Sequence, residues 1–316
     1  MKLTWGSRLG AVIATAGAAV GCSSGGGSVA PPANEGTLSI GLTDAPVTDV
    51  SEIWLEITGL NIKPAGNGPA LEFPFDEPRT VDLLQLTPDN AEWLLDGETV
   101  PAGEYNWLEL ELNAEFDSIN DSYVVTTAGG EEELRVPSDS LRLVSGFTVT
   151  ADQETAFLID WDARLGLVGP PGQPGYMLRP AFRIVDMTEY GTLSGVVDTA
   201  LVVDPACAVD DQNGDLDTGN VVYIYEGPGA VAEDIDEDGA EPGPVATAAV
   251  EQGTNGDYAY STILSPGDYS VAFTCLAGHD DPLVDDPTDP AEEGAVVFTD
   301  TADVTINNEE EATVDF

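Results

Sequence analysis

The residues best suited to chemistry in this sequence are alternating carboxylates in its second half. Asp234, Asp236 and Asp238 have the D-x-D-x-D-G spacing of calcium loops, and Glu241 or a backbone carbonyl would complete the shell. Alternate carboxylates in a tight turn can converge on one hard cation. A second alternating set consists of Asp211, Asn213, Asp215 and Asp217. The spacing makes Ca²⁺ the one candidate cofactor of the chain.

These acidic segments differ from an EF-hand. Pro242 and Pro244 exclude the helix that follows an EF-hand loop, and Val245 occupies the place of its bidentate Glu. Any ion site would therefore be a non-helical loop. In a chain this acidic, the same spacing also arises in loops that are only solvated, so both interpretations stay open.

No catalytic residue is predicted. Asp217-Thr218-Gly219 matches the triplet of aspartic proteases, but that chemistry needs two such loops and the sequence has one. The single histidine, His279, is tied to no nucleophile by any motif and is expected on a loop surface. A polysaccharide hydrolase that uses two carboxylates remains an alternative, because the separation of such a pair cannot be read from sequence.

Two tryptophans suggest a binding surface. Trp54 and Trp107 lie opposite the apolar faces of two predicted strands, beside Glu56, Glu109 and Glu111. If the strands are neighbours, these residues form an aromatic and carboxylate face that could stack on sugar rings or on a partner protein. The alternative is that the tryptophans are part of the core or are covered by another segment.

The charge of the chain limits its partners. It has 58 acidic and 9 basic residues and a net charge of −49, and no Lys or Arg follows Arg183. Such a surface repels nucleic acid, so a nucleic-acid partner is excluded. Cations must screen the charge, which indicates either salt adaptation, as in a halophilic or marine protein, or bound Ca²⁺.

The first residues predict a membrane anchor. Ala19-Val20-Gly21-Cys22 follows an apolar run over 9–20 and resembles the lipobox of bacterial lipoproteins. The resemblance implies removal of residues 1–21 as a signal peptide, lipidation of Cys22, and a flexible tether over 22–36. The apolar run is shorter than the roughly 20 residues that span a bilayer. An ordinary secretory signal, cleaved at Ala16-Gly17-Ala18, is the alternative.

The remaining two cysteines, Cys207 and Cys275, are an even pair in a protein expected outside the cytoplasm. They are predicted to form a disulfide, and two buried thiols are the alternative.

Alternating apolar residues predict an all-β protein. Ile53, Leu55 and Ile57 alternate with polar or aromatic residues, and Gly59 is expected to form a bulge. Pro88–Leu95 is predicted to form one helical turn or two, the only helix predicted in the sequence. Many short strands at regular spacing indicate a sandwich or barrel. The other predicted strands of the first half are 37–42, 81–86, 107–112, 123–126, 133–136, 147–150, 155–160 and 177–185.

The first half resembles a microbial family, the domain of unknown function numbered 4382. The resemblance spans about residues 37–187. It implies an envelope protein, because the family is commonly lipid-anchored, but it implies no activity. The matching segments are Gly41–Pro46, Val81–Leu84, Val100–Tyr105, Phe157–Ala163 and Leu178–Pro180.

The second half, residues 191–316, resembles the small immunoglobulin-like or transthyretin-like sandwich of carboxypeptidase regulatory-like and carbohydrate-binding-like domains. The resemblance rests on Thr192–Val197, on Asn255-Gly256 before an alternating strand, and on Pro266-Gly267 before another. The last two strands are predicted to form a hairpin.

The sequence therefore predicts an envelope protein of two β-sandwich or barrel domains, held to a membrane through its lipid. We expect a non-catalytic binding protein, stabilised by calcium or salt, whose partner is a polysaccharide or another envelope protein. The alternatives are a carbohydrate-binding envelope protein and a carboxylate-dependent polysaccharide hydrolase.

Overall fold

Strands account for most of the protein, as the alternating patterns predict. The computed structural model describes residues 34–45, 50–115, 117, 119–136, 139–144, 146–169, 175–179, 181–203, 219–235, 243–280 and 295–316. In these residues the α-helices are two single turns, α1 (Ala163–Gly166) and α2 (Thr199–Val202). The all-β fold class is confirmed. Across the same residues, no helix has the length and apolar character needed to cross a bilayer.

Thirteen strands are described in the first half. They are β1 (Glu35–Ala45), β2 (Val50–Pro64), β3 (Leu71–Asp82), β4 (Glu92–Pro101), β5 (Gly103–Leu112), β6 (Tyr123–Thr126), β7 (Glu131–Arg135), β8 (Ser140–Leu143), β9 (Phe147–Val149), β10 (Glu154–Asp162), β11 (Leu167–Val168), β12 (Tyr176–Leu178) and β13 (Phe182–Asp186).

These strands form two sheets. The smaller sheet has the order β13-β10-β1-β4, with β1 parallel to β10 and antiparallel to β4. The larger sheet has the order β11-β12-β7-β6-β2-β5-β8, with β9 beside β5 and β3 beside β2. Trp54 of β2 is paired with Tyr123 of β6 and with Asp82 of β3, so β3 lies on the opposite side of β2 from β6. Both β3 and β4 are therefore edge strands.

The core lies between the two sheets. Leu38, Ile40 and Leu42 of β1 face it from one side, and the alternating residues Ile53 and Leu55 of β2 face it from the other, all with no exposed surface. The period of two places each set on one face of its strand. Each such side chain stabilises the fold by roughly 1.5–3 kcal/mol through burial.

The predicted bulge at Gly59 is confirmed. The pairing of β2 with both β3 and β5 shifts register between Ile57 and Gly59. Residues 75–78 of β3 have no partner on β2 in this interval, which lies between Pro74, paired with Gly59, and Arg79, paired with Ile57.

Two predictions in the first half agree with the structure only in part. The strand predicted over Val81–Leu86 ends at Asp82 and continues as a 3₁₀ turn, Leu83–Gln85. Of the one or two helical turns predicted over Pro88–Leu95, a single 3₁₀ turn, Pro88–Asn90, is present, and β4 follows where a second turn was possible. Proline at the first position starts that turn, and pairing with β1 then overrides the helical spacing of the apolar residues after it.

The second half forms a separate pair of sheets. Their orders are β17-β18-β14-β21 and β16-β15-β19-β20, and the core between them contains Tyr258 and Tyr260. Tyr223 and Tyr225 are also buried, on the other face of β15. The strands are β14 (Gly191–Val197), β15 (Val221–Glu226), β16 (Ala246–Ala249), β17 (Glu251–Gln252), β18 (Tyr258–Leu264), β19 (Gly267–Thr274), β20 (Ala302–Ile306) and β21 (Glu311–Thr313).

The predicted hairpin of β18 and β19 is wrong. The two strands belong to different sheets, so the short Ser265-Pro266 connection crosses from one sheet to the other. The Asn255-Gly256 turn instead joins β17 to β18, which do pair, and Gly256 has the positive φ of 89° that such turns require. The turn residues indicated chain reversals without showing which sheet each strand joins.

The two sandwiches meet in one compact unit that comprises residues 34–316. Leu158 and Val185, on the outer face of the smaller first-half sheet, pack against Ile263 of β18. Arg183 forms an ion pair of 2.5 Å with Asp160 and donates to the carbonyl of Ile263 at 2.8 Å. The last cation of the sequence thus ties the acidic second half to the first.

Asp82 connects β2, β3 and the following turn. Its Oδ1 accepts the backbone N–H groups of Ile53 at 3.1 Å and Leu84 at 3.3 Å, and the residue is 8% exposed. Burial raises the pKa of this carboxyl, and the charge of Glu52 adds to the effect, while the two N–H groups act in the opposite direction. The ionised form is therefore disfavoured in the folded state, so this charge lowers stability at neutral pH.

We expect Asp82→Ala and Asp82→Asn to change the free energy of unfolding by different amounts, or in opposite directions. Alanine leaves two buried N–H groups without an acceptor and should reduce the free energy of unfolding by about 1–2 kcal/mol. Asparagine keeps the acceptor oxygen without the charge, so Asp82→Asn should be as stable as the parent or more stable at neutral pH. The difference between Asp82→Asn and the parent should shrink as the pH falls toward the ordinary carboxyl pKa. Urea denaturation across this pH range measures both effects, and equal losses for the two variants would contradict the assignment.

Candidate functional site

The predicted tryptophan face exists, but the two tryptophans lie at its opposite ends. β2 and β5 are neighbours, with Trp107 opposite Lys63, whereas Trp54 lies opposite Tyr123 of β6. Nine positions of β2 separate Trp54 from Lys63, a distance of roughly 30 Å along the strand. The face therefore has an aromatic residue at each end and no aromatic cluster.

Each tryptophan is half-buried and has partners within the protein. Trp54 stacks on Tyr123 with 6.2 Å between ring centroids and donates its indole N–H to Glu52 at 2.5 Å. The guanidinium of Arg142 lies 4.3 Å from the ring centroid of Trp107. Arg142 also pairs with Glu109 at 2.8 Å. One surface of each ring is thereby already occupied.

The carboxylates between the tryptophans are also occupied. Asn113 donates to Glu56 at 2.5 Å and Asn61 donates to Glu111 at 2.7 Å. These contacts cross from strand to strand, so they hold β2 and β5 in register on the outer face. The predicted binding residues Trp54 and Trp107 therefore belong to a surface whose polar groups are largely satisfied.

A second surface, which the sequence did not predict, lies between the edge strands β3 and β4. No backbone pairing joins these strands in the described part of the chain, and two adjoining cavities of about 550 and 500 Å³ lie along the gap. Residues 70–77 and Arg79 line one side, and residues of 94–101 line the other. We call this gap the β3–β4 cleft.

The floor of the cleft is apolar. Phe73 and Phe75 of β3 are half-buried and pack on the core, and Leu94 and Leu95 of β4 are almost completely buried. The cleft therefore opens directly onto the side chains between the two sheets. An aromatic and aliphatic floor of this kind favours apolar groups of a ligand.

Arg79 closes one end of the cleft. Its guanidinium lies 4.4 Å from the ring centroid of Phe75, and its Nη1 donates to the backbone carbonyl of Trp93 at 2.6 Å. The same nitrogen lies 3.4 Å from Glu92. A side chain of β3 thus satisfies a backbone acceptor on the outer edge of β4.

The rim of the cleft is acidic. Glu72, Asp76 and Glu77 on one side and Glu98 on the other are exposed and line the cavity. None of these four carboxylates has an ion pair with a described residue, since Arg79 is engaged with Glu92. The unbalanced negative charge favours a cationic ligand.

The cleft was missed because β3 and β4 were not predicted as strands. Leu71, Phe73 and Phe75 do alternate with polar residues or proline, which is the period of a strand with one buried face. Pro74 and Pro78 interrupt this segment, and proline is accepted on edge strands. The alternation was therefore the signal that could have located one wall of the cleft.

Another cavity, of about 450 Å³, lies between the two sandwiches. Asp160 and Tyr260 are among its lining residues. Asp160 is already paired with Arg183, and the Tyr260 hydroxyl donates to the carbonyl of Val314 at 2.7 Å, while burial raises its pKa. These polar groups serve the junction and the core, so the β3–β4 cleft is the better candidate site.

The predicted metal ligands lie mostly outside the described residues. Asp234 is described and buried, whereas Asp211, Asn213, Asp215, Asp217, Asp236, Asp238 and Glu241 are outside. No group of three potential ligands that could hold a metal ion occurs in the parts of the chain that are described. The residues that border the acidic segments do lie together. Ala277 N donates to Gly219 O at 3.1 Å, and Ile235 N donates to the Asp280 carboxylate at 3.2 Å.

The remaining predicted residues are only partly described. Cys22 and Cys207 are outside the described residues, and Cys275 follows β19, half-buried against the second core. His279 ends a 3₁₀ turn and is half-buried rather than at an open loop surface.

Comparison with known proteins confirms one of the two domain resemblances. Residues 35–180 match the family model described as Domain of unknown function (DUF4382). No curated protein matches the chain.

Solved structures give only distant alignments. The Bacillus anthracis TIE protein aligns at 12% identity with a TM-score of 0.20, over 90% of this chain and 34% of that one. The minor pilin GBS52 of Streptococcus agalactiae aligns at 13% identity with a TM-score of 0.17, over 89% of this chain and 94% of that one. This chain thus spans about a third of the TIE protein, and scores this low carry no argument about function.

Proposed function

We propose that this protein is a lipid-anchored, non-catalytic binding protein of the cell envelope, and that the β3–β4 cleft is its binding site. The observation that carries the proposal is the combination of an apolar floor with four unpaired carboxylates on the rim. Elsewhere on the first sandwich, the exposed aromatic and acidic groups that were predicted to bind have partners within the protein.

The chemistry of the carboxylates favours binding over hydrolysis. A glycosidase needs a general acid whose pKa is raised and a second carboxylate about 5–9 Å away across the substrate. Asp82 is a described carboxyl with a raised pKa, but it does not line the cleft. Its oxygen accepts two backbone N–H groups instead. The pKa of Asp303 is lowered, because Gly229 N–H and Ser270 donate hydrogen bonds to its carboxylate.

We expect charge reversal at the cleft to abolish binding to envelope material. The full-length protein would be mixed with separated protein and polysaccharide fractions of the envelope of its own cells, and co-sedimentation would be measured. Glu72→Lys/Glu98→Lys should reduce the association constant at least about tenfold, equivalent to about 1.4 kcal/mol. Retention in the polysaccharide fraction alone would identify the carbohydrate-binding alternative.

Glu132→Lys/Glu226→Lys is the matched control, because these exposed glutamates lie on β7 and β15 and make the same change in net charge. An equal loss of binding in both double variants would show that overall charge causes the loss. The cleft would then not be the binding site. Release of soluble sugars from the polysaccharide fraction by the parent protein would overturn the non-catalytic assignment.

The anchor is proposed at Cys22 on the strength of the lipobox resemblance, which places the protein at the cell surface or on the periplasmic side of a membrane. Cys22→Ala should move the protein from the membrane pellet to the soluble fraction after cell lysis, since the acyl chains supply the membrane affinity. Cys207→Ser should stay in the pellet. A Cys22→Ala protein that remains in the membrane would refute the anchor.

A second proposal concerns the stability of the last sandwich, which resembles carboxypeptidase regulatory-like domains. We infer that Ca²⁺ binds where its Asp-rich segments begin and end, and that Cys207 and Cys275 form a disulfide. The supporting observation is that Gly219, Ile235, Ala277 and Asp280, which border those segments, are hydrogen-bonded to one another in pairs.

Thermal melting of the full-length protein should show both effects. Millimolar Ca²⁺ should raise the melting temperature more than an equal ionic strength of NaCl, and a chelator should reverse the rise, because bound ions stabilise only the folded state. A reductant should lower the melting temperature, since loss of the loop closure costs roughly 4 kcal/mol. Equal stabilisation by any salt would instead indicate general salt adaptation, and no effect of the reductant would exclude the disulfide.

A further inference from the structure

We propose that the β3–β4 cleft binds an extended, basic polypeptide segment of a partner protein, which adds as a strand to the outer edge of β4. The inference rests on the proposed function and specifies the ligand of the same site. It follows from four features of the cleft: a strand edge that no described strand pairs with, a length that matches a strand, an apolar floor and an acidic rim.

The edge of β4 is the one able to pair. Among the described residues, β4 is hydrogen-bonded to one strand, β1, and the carbonyl of Trp93 accepts from Arg79 Nη1. No proline interrupts the strand before Pro101. Pro74 and Pro78 of β3 have no N–H to donate, so β3 serves as the opposite wall.

The length of the cleft matches one strand. Paired strands lie about 4.7–4.9 Å apart, but β3 and β4 are linked at the closed end by an arginine side chain, which is much longer than a backbone hydrogen bond. The two cavities follow β4 over residues 94–101, a length of roughly 25 Å that matches seven or eight extended residues.

The floor and the rim of the cleft favour different side chains at alternate positions of the added strand. Residues that point inward would contact Phe73, Phe75 and Leu95, so they should be apolar. The intervening residues point away from the floor. Because Glu72 and Glu98 line the cleft from β3 and β4, we expect these residues to be Lys or Arg. A second copy of this chain is a poor occupant, because both copies carry a net charge of −49.

A synthetic strand tests the inference directly. The probe is a fluorescein-labelled octapeptide of four Val-Lys repeats, with both ends blocked, titrated with the full-length protein and followed by fluorescence anisotropy. We expect saturable binding that weakens with added NaCl and weakens at least about tenfold in Glu72→Lys/Glu98→Lys. The control Glu132→Lys/Glu226→Lys should bind the peptide as the parent does.

Two further peptides separate strand pairing from attraction of opposite charges. The same octapeptide with every backbone nitrogen methylated keeps its side chains and charge but cannot donate hydrogen bonds, so it should lose at least about tenfold in affinity. Four Val-Glu repeats should not bind. Unchanged affinity after methylation, or equal loss in the control double variant, would overturn the strand-addition proposal.

The result is distinguishable from failure of the proposed function. Envelope binding that depends on Glu72 and Glu98, together with no peptide binding or with cleft binding of a neutral oligosaccharide, would overturn the inference and leave the binding function in place. If neither the peptide nor envelope material binds, both proposals fall. Circular dichroism melting of each variant excludes unfolding as the reason for any loss.

Discussion

The pairing of β2 is the constraint on which the first sandwich depends. This fifteen-residue strand has β5 and β6 along one side and β3 along the other, and its inward residues are fully buried. The bulge at Gly59 bends it in the middle, so β3 follows it only in two separate stretches. A strand held in this way cannot also pair with the smaller sheet. The free edge of β3 is therefore the one that lies toward β4, and Pro74 and Pro78 remove N–H donors from β3.

Arginine side chains connect separate parts of the structure by donating to backbone carbonyls and carboxylates, which acidic side chains cannot do. Arg79 bridges the two sheets at the end of the cleft, and Arg183 bridges the two sandwiches. Arg142 covers Trp107 and pairs with Glu109. A planar guanidinium suits each place, since it can lie over a ring or donate to a carbonyl and a carboxylate at once. In a chain with nine cations, such placements limit which carboxylates remain unpaired, and those of the cleft rim are among them.

The sequence predicted what depends on local pattern and missed what depends on partners distant in the chain. The fold class, the inward face of β2 and the Gly59 bulge follow from alternation and from one glycine. The sides of the cleft do not, because two prolines interrupt β3 and three apolar or aromatic residues before Asp96 suggested a helix in place of β4. The register that separates Trp54 from Trp107 is set by pairing across strands, which alternation within one strand cannot show. The Asp82 cap was visible only as part of a family motif, and the structure supplies its reason in the two backbone groups that it accepts.

An open strand edge beside exposed apolar side chains is ordinarily a risk of aggregation, which proteins limit with charge, proline or a bulge. All three occur on the β3 side of the cleft, in Glu72 and Asp76, in Pro74 and Pro78, and in the register shift at Gly59. The β4 side has charge, from residues such as Glu98, and a register shift against β1 at Asp96–Gly97, where Gly97 has a φ of 68°. Because every copy of the chain carries the same sign, this charge opposes self-association and leaves the edge accessible to a segment of opposite sign. The feature that keeps the protein from pairing with itself is thus the same one that selects a basic partner.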